Sequence, residues 1–196
     1  MNMNRSGSMA TPDGFGKTRW DSAQKAVTKI IDAVFKYDTD KRVPLYLFDD
    51  QVEFMGECTN SSQIKGVFES HAPRGTTDLA KCLNEAMEKY CGKRRIDASI
   101  VPGTTFIVLL DGGADDEEAV KKTLHKFADP ANGYIENHCD LAISFLQLGK
   151  DPGATKFLQD LDDGSPEYPD VVDTKLVDFI YQKGGVDKLL MDAIFD

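Results

Sequence analysis

The sequence predicts an α/β domain with a mostly parallel central sheet and helices on both faces of the sheet. Two nearly continuous apolar runs, Thr104–Leu110 and Leu141–Leu148, are typical of strands that are buried on both faces. Segments with apolar residues at helical spacing stand between the strand-like runs. This alternation of strand and helix along the whole chain is the pattern of βαβ units, which place helices against a parallel sheet.

The first half of the chain supplies four of the predicted elements after a loop over 9–17. A helix runs from Trp20 to about Tyr37, and a strand follows at Val43–Phe48. Val52–Phe54 then forms a brief antiparallel edge, and a modest helix spans Gln63–Ser70. A turn separates this helix from the next segment.

The second half begins with a helix over Leu79–Tyr90, which Thr77 or Asp78 caps. A charged connection over 92–103 leads to the strand at 104–110. The acidic run Asp115–Glu118 is interpreted as the start of a helix, because it lacks the spacing of a calcium-binding loop. The remaining predicted elements are a helix from Pro152, a strand at Tyr168–Asp173, and helices at Leu176–Tyr181 and Val186–Ile194.

Length and charge limit the classes of function. The 196 residues are most simply one domain, 1–196, large enough to bury a core. A net charge of -10 argues against a nucleic-acid surface, since the one basic cluster, Lys93–Arg95, suits the end of a helix. No apolar run approaches the ~20 residues that span a bilayer, and no signal peptide is recognisable.

The cysteines and histidines are not spaced like metal ligands. The four cysteines therefore indicate reduced thiols and a cytoplasmic, intracellular protein. The three histidines are scattered, which argues against a zinc site or a histidine-based catalytic triad.

Oxygen-bearing side chains are concentrated in three loops, where ligands bind in open α/β sheets, outside the carboxyl ends of strands. The loops are 4–8, 75–78 and 110–112. The first offers one amide and two hydroxyls, the second a threonine before a helix, and the third an aspartate after the clearest strand. This donor set suits Mg²⁺ or Mn²⁺, which accept few charged ligands and keep several waters. The side chains are Asn4, Ser6, Ser8, Thr77 and Asp111.

The order of these loops resembles the von Willebrand factor A (vWA) family. Its metal-ion-dependent adhesion site (MIDAS) uses Asp-x-Ser-x-Ser, a threonine in a second loop and an aspartate in a third. Ser6 and Ser8 match the two serines, and Asp111 matches the aspartate. Thr77 matches the threonine better than Thr76, because the family's threonine stands directly before Asn or Asp and a helix.

The resemblance implies a three-layer Rossmann-like vWA fold over nearly the whole chain. It also implies a non-enzymatic protein-interaction module, in which a partner's acidic side chain completes the shell of a divalent cation. Asn4 stands where the family has aspartate, so the MIDAS is degenerate. We therefore expect weak binding of Mg²⁺, or of Mn²⁺ or Ca²⁺.

A second departure concerns the strand that leads into the first loop and lies in mid-sheet in the family. Only Met1–Met3 precede the loop here, and three residues span roughly 10 Å. We therefore expect the N-terminal central strand to be missing or truncated. The chain would then be a fragment, a product of a misassigned gene start, or a domain completed by another molecule. In isolation it would be poorly stable or self-associate.

Two other classes of function stay open. One is an enzyme, of which a Mg²⁺-dependent phosphohydrolase using Asp111 is the most plausible form. A nucleotide-binding loop at Gly14–Thr18 is disfavoured, because the motif needs a glycine where Thr11 stands. Ser6 lacks a general base that would make it a nucleophile. The other class is a metal-free interaction domain with a vestigial site, which Asn4 favours.

Overall fold

The structure, a computed structural model, describes residues 1–14, 16–97, 103–164 and 169–195. Six strands in these ranges form one sheet in the order β3-β2-β1-β4-β5-β6. All neighbouring pairs are parallel except β2 and β3, which are antiparallel. The strands are β1 (Asn2–Asn4), β2 (Val43–Phe48), β3 (Val52–Cys58), β4 (Thr104–Leu110), β5 (Leu141–Gln147) and β6 (Val172–Leu176).

Six α-helices cover the two faces of the sheet. They are α1 (Arg19–Tyr37), α2 (Ser62–Ser70), α3 (Leu79–Arg94), α4 (Glu117–Ala128), α5 (Pro152–Asp162) and α6 (Gly185–Phe195). Helices α1, α2 and α6 share one apolar core, and α3, α4 and α5 share the other. The expected three-layer α/β architecture is therefore confirmed. Among the helices in the described ranges, none combines the length and apolar character needed to cross a bilayer.

The predicted bounds agree best where the sequence is continuously apolar. β2 and β4 begin and end at the predicted residues. Helix α1 starts one residue before Trp20, because Thr18 forms a capping box with Asp21. Thr18 is also the last residue of Gly14–Thr18, the segment that was compared with a nucleotide-binding loop. Phe15 of that segment lies outside the described residues.

Four predicted elements differ clearly from the structure, and the first is α3, which continues to Arg94 into the predicted connection over 92–103. β3 continues to Cys58 instead of ending at Phe54, because a register shift and the left-handed Gly56 keep it paired with β2. β6 lies at Val172–Leu176, where it pairs with β5, whereas the prediction had this strand at Tyr168–Asp173. Tyr168 lies outside the described residues, and so do residues 98–102 of the predicted connection over 92–103. Val177–Tyr181 is a 3-10 turn instead of an α-helix.

The expectation of a missing central strand is wrong, because β1 lies in mid-sheet between β2 and β4. Its three residues are buried, and the main chain of Met1 extends the pairing with bonds to Pro44 O and from Tyr46 N, both 3.0 Å. At the other end, Arg5 N donates to Phe48 O at 2.7 Å. A strand this short suffices because it has ladder partners on both sides. β1 is shorter than both of its neighbours, and a truncation of this strand stays a prediction.

A groove lies beside the start of β1. The register of β1 covers Tyr46–Phe48 of β2 and Val108–Leu109 of β4, and both neighbours extend further. The groove has a volume of about 720 Å³ and is lined largely by apolar side chains of β2, β4, α1 and α6. Asn2 also lines it, and its fully buried amide has no hydrogen-bond partner in the described chain. Whether the isolated chain is poorly stable or self-associates stays a prediction.

Met3 provides a test of how strongly the fold depends on β1. Its side chain is 0% exposed and packs in the core that includes α1. We expect Met3→Ala to lower the free energy of unfolding by about 2–5 kcal/mol, because the change leaves a cavity in mid-sheet. Chemical denaturation measures the difference. The matched control is Met191→Ala at a side chain that is 53% exposed. Equal effects of the two substitutions would contradict a structural role for β1.

Candidate functional site

The candidate site lies where the chain leaves β1 and β4 at the carboxyl end of the sheet. β1 is followed by α1 and then β2 on one side, whereas β4 is followed by α4 and then β5 on the other. Neighbouring parallel strands whose connections diverge in this way leave a crevice in which ligands bind. Asn4 is the last residue of β1, and Asp111 directly follows β4. The strand order therefore brings together residues that are far apart in the sequence.

Asp111 is the centre of the cluster. Its carboxylate is fully buried, and its Oδ1 accepts hydrogen bonds from Ser8 Oγ at 2.9 Å and from Asn4 Nδ2 at 3.2 Å. The hydroxyls of Ser6 and Ser8 are 2.9 Å apart and share a hydrogen bond. The structure thus joins four of the five predicted side chains in one hydrogen-bonded group, with Ser8 exposed at its surface.

Asn4 performs two tasks that an aspartate could not combine. Its Oδ1 accepts from Ser6 N at 2.7 Å, which holds the turn, and its Nδ2 donates to Asp111. A carboxylate at this position could make only the first of these bonds. Because the amide is neutral and can donate, Asp111 can lie beside it without an intervening cation.

Thr77 lies in the neighbouring loop but is not bonded to the other four. Its main-chain N–H donates to Asp115 Oδ2 at 2.9 Å, and its carbonyl accepts from Asp115 N at 3.0 Å. Thr77 itself is buried, with 8% of its surface exposed. Asp115 was interpreted from the sequence as part of a helix start, whereas the structure shows it fixing the Thr77 loop.

Main-chain bonds join the first two loops. Gly7 N donates to Gly75 O at 3.1 Å, and Arg74 N donates to Arg5 O at 2.7 Å. Gly75 has a φ of +67°, and a Cβ there would lie 2.2 Å from a carboxylate oxygen of Asp50. The left-handed backbone favours glycine at this turn, and the absence of a side chain leaves room for Asp49 and Asp50.

Arg19 is a site residue that the sequence analysis missed. Its Nη1 donates to Asp111 Oδ2 at 2.8 Å and to Asp111 O at 3.3 Å. Arg19 is the first residue of α1, where the positive end of the helix dipole disfavours a cation. The sequence could have indicated this role, because a cation at a helix start is unfavourable unless it has a specific anionic partner.

A second ion-pair cluster holds the first loop through Arg5, which belongs to that loop. Arg5 is 2% exposed and forms a 2.8 Å ion pair with Asp49, which is fully buried. Arg74 donates to the same carboxylate at 3.0 Å, and Arg5 also pairs with Glu53. Burial alone raises the pKa of Asp49, but the hydrogen bonds from Gln51 and Arg74 and the charge of Arg5 outweigh it and lower the pKa below 3.8.

The donor set can be tested against a divalent cation by its chemistry. The predicted ligands are hydroxyl, amide and carboxylate oxygens, which Mg²⁺ and Mn²⁺ accept. Asp111 is the only carboxylate among the five, and the described residues contain no group of three or more His, Cys, Asp or Glu side chains arranged to hold a metal. The set therefore fits a hard cation that keeps several waters and does not fit zinc. Arg19 already balances the charge of Asp111.

Similar proteins are found by comparison of structures and not by comparison of sequences. The sequence matches no protein-family model and none of the curated proteins. The structure is similar to the SpRpn10 VWA domain, with a TM-score of 0.64 at 12% identity over 97% of this chain and 92% of that one. It is also similar to manganese-loaded Plasmodium vivax TRAP, with a TM-score of 0.62 at 14% identity over 90% and 67% of the two chains.

A third similar structure is an aerotolerance-related membrane protein from Bacteroides fragilis, with a TM-score of 0.50 at 17% identity over 86% and 73% of the two chains. At these identities the comparisons concern the fold alone. They confirm that this chain has the vWA fold that its three loops resemble, and they leave the metal site as a prediction.

Asp49 gives a prediction about pH. Its carboxylate has a lower pKa in the folded state, so it contributes stability above about pH 3.8 that is lost as the pH falls through the folded pKa. At pH 7 we expect Asp49→Asn to lower the free energy of unfolding by about 3–5 kcal/mol, because it removes the buried charge partner of Arg5 and leaves only the partly exposed carboxylate of Glu53. The deficit should shrink as the pH falls below 3.8.

Urea denaturation from pH 7 to pH 3 measures this deficit. Asp50→Asn is the matched control, because Asp50 is the next residue in the chain and is exposed. A deficit that does not change with pH would contradict the assigned role of the Asp49 charge.

Proposed function

We propose that this chain is a protein-interaction module that captures an acidic side chain of a partner through a divalent cation. Asn4, Ser6, Ser8, Thr77 and Asp111 would hold the cation, as Mg²⁺ or Mn²⁺ in preference to Ca²⁺. The observation that carries the proposal is the convergence of the Ser6 and Ser8 hydroxyls on the buried carboxylate of Asp111 at the carboxyl end of the sheet.

The exposure of the cluster supports a binding role. Asp111 and Ser6 are buried, whereas Ser8 and Gly7 are exposed, so the Ser8 side of the cluster faces solvent. A cation held there would have protein oxygens on one side and water on the other. A carboxylate from a partner could replace one of those waters, since hard cations accept carboxylate ligands. TRAP, which shares the fold, was crystallised loaded with manganese.

The composition of the site also supports a role without catalysis. Metal-dependent hydrolases activate water at sites that usually contain several carboxylates, and only one of the five predicted ligands is a carboxylate. We therefore propose that the chain is not an enzyme. A phosphatase screen in the presence of Mg²⁺ tests this, and turnover that is lost in Asp111→Asn would contradict it. The cytoplasmic location stays a prediction from the cysteine content.

A metal-free interaction domain is the second candidate, and the ion pair between Arg19 and Asp111 favours it. In that case the guanidinium supplies the positive charge that a cation would supply. The two candidates differ in their response to chelation. If EDTA abolishes binding of a partner and Mg²⁺ restores it, the metal-dependent function is supported. Binding that is indifferent to EDTA supports the metal-free domain.

Asn4 gives a direct test of the proposed cation. We expect Asn4→Asp to bind Mg²⁺ about tenfold more tightly than the wild type, because a second negative ligand increases the charge of the site. Without metal, the same variant should melt at a lower temperature, because the new carboxylate lies beside Asp111, whose Oδ1 is 3.2 Å from the present amide nitrogen. Added Mg²⁺ should restore the melting temperature.

Isothermal titration calorimetry and thermal melts with and without Mg²⁺ measure both effects. Asn132→Asp is the control, because it adds the same charge at an exposed position on a separate turn. Equal Mg²⁺ affinities of the wild type and Asn4→Asp would contradict the proposed site.

A further inference from the structure

We propose that Arg19 is the resident counter-charge of Asp111 and competes with the divalent cation for it, so that Arg19 sets the metal affinity of the site. This inference rests on the proposed function and deepens it. Asn4 alone would account for a weakened site by removing one negative charge. Arg19 adds a second and independent cause, which is a positive charge already bound to the remaining carboxylate.

The ion pair occupies the part of Asp111 that the loops leave available. Ser8 and Asn4 both donate to Oδ1, whereas Oδ2 accepts from Arg19 Nη1 at 2.8 Å. The side chain of Arg19 is 23% exposed and Asp111 is fully buried, so the pair is shielded from solvent more than an ordinary surface ion pair. A divalent cation could therefore bind Asp111 Oδ2 only if it displaced the guanidinium of Arg19.

The backbone around Arg19 makes room for the guanidinium. Gly149, two residues after β5, has a φ of +78°, and a Cβ at that position would lie 3.2 Å from Arg19 Nε and 3.3 Å from Arg19 Cζ. Any larger residue would crowd the side chain that reaches Asp111. Leu148 N donates to Leu110 O at 2.8 Å, which fixes this turn beside the end of β4. The position of Arg19 is thus built by the fold.

The contact is nevertheless incomplete, which allows it to be exchanged. Arg19 Nη1 makes both bonds to Asp111, so the pair lacks the two parallel bonds of a fork-shaped arginine contact. Arg19 Nε is buried and has no acceptor within the described chain, which is unfavourable for a polar N–H group. The bonding capacity of the guanidinium is therefore only partly used.

A cavity beside Arg19 could accommodate its side chain after it leaves Asp111. The cavity has a volume of about 630 Å³ and is lined by Arg19, Asp178, Gln147 and Lys25, among others. The carboxylate of Asp178 and the amide of Gln147 could accept from a guanidinium that has left Asp111. Arg19 could therefore exchange the carboxylate of Asp111 for that of Asp178 within this cavity.

The charges explain why we expect the divalent cation to replace the Arg19 guanidinium at Asp111 instead of binding beside it. Asp111 is the only carboxylate in the proposed ligand set, and a divalent cation beside a bound guanidinium would give three positive charges against one negative charge. Like charges at contact distance repel strongly where water is partly excluded. Tight metal binding therefore requires Arg19 to leave Asp111.

The test is Mn²⁺ titration by calorimetry of the wild type, Arg19→Gln, Lys25→Gln and Asn4→Asp in the full chain. We expect Arg19→Gln to bind Mn²⁺ about tenfold more tightly than the wild type, because the competing charged hydrogen bond is removed. Lys25→Gln is the matched control, because Lys25 lines the same cavity and its loss removes the same charge. Its gain in Mn²⁺ affinity should be much smaller than that of Arg19→Gln, because Lys25 is not bonded to Asp111 in the described structure.

A second measurement does not depend on whether Arg19→Gln folds normally. In wild-type protein, the NMR signal of the Arg19 side-chain Nε–H group should shift as Mg²⁺ is added, because the guanidinium changes its surroundings. An unchanged signal at saturating Mg²⁺ would overturn the inference. Arg19→Lys should have an intermediate Mn²⁺ affinity, because it keeps the charge but has a shorter reach and no planar guanidinium.

The outcomes separate this inference from the proposed function. Equal Mn²⁺ affinities of the wild type and Arg19→Gln, with measurable binding in both, would overturn the competition and leave the metal-dependent function intact. An equal gain in Lys25→Gln would also overturn it, because a general charge effect would then explain the result. If neither Arg19→Gln nor Asn4→Asp binds Mn²⁺, the proposed function fails and the inference fails with it.

Discussion

A fully buried carboxylate requires hydrogen-bond donors or a positive charge on each of its oxygens, and Asp111 obtains them from three separate segments. Asn4 from the end of β1 and Ser8 from the loop after it satisfy one oxygen, and Arg19 from the start of α1 satisfies the other. Desolvation makes an unpaired charge at this depth costly. The loop after β1, the first turn of α1 and the end of β4 are therefore held in one arrangement by a single side chain.

The same need for paired buried groups explains the support beneath the first loop. Arg5 and Asp49 are both buried and form an ion pair, and Arg74 donates to the same carboxylate from the loop that carries Thr77. Buried ion pairs add little net stability compared with apolar packing, but loss of one partner is severe. This arrangement fixes the position of the loops relative to one another, which is what a binding site on loops requires.

The central strand illustrates how little local chain is needed when both neighbours take part. β1 has three residues, yet β2 and β4 pair with it on opposite sides and Met3 packs in the apolar core on one face of the sheet. Its position determines where Asn4, Ser6 and Ser8 lie, because the loop starts at the end of this strand. The stability of β1 and the geometry of the candidate site therefore depend on the same pairing.

The sequence by itself determined the elements whose signal is local. The apolar runs at Val43–Phe48 and Thr104–Leu110 were predicted at their observed bounds, because continuous burial of a strand is visible in consecutive residues. The closeness of Ser6 to Ser8 follows from their spacing, and the position of Asp111 follows from the strand before it. These local patterns were enough to indicate the fold and four of the side chains that the structure joins.

The tertiary structure decided what depends on distant partners. β1 was expected to be missing because three residues carry no periodic signal, and only pairing with strands more than 40 residues away in the chain makes them a strand. Arg19 and Asp111 are separated by 92 positions, so their ion pair follows from the strand order and not from spacing. Local sequence specifies which residues are strands and helices, whereas the charge balance of the site is set by segments that only the folded sheet brings together.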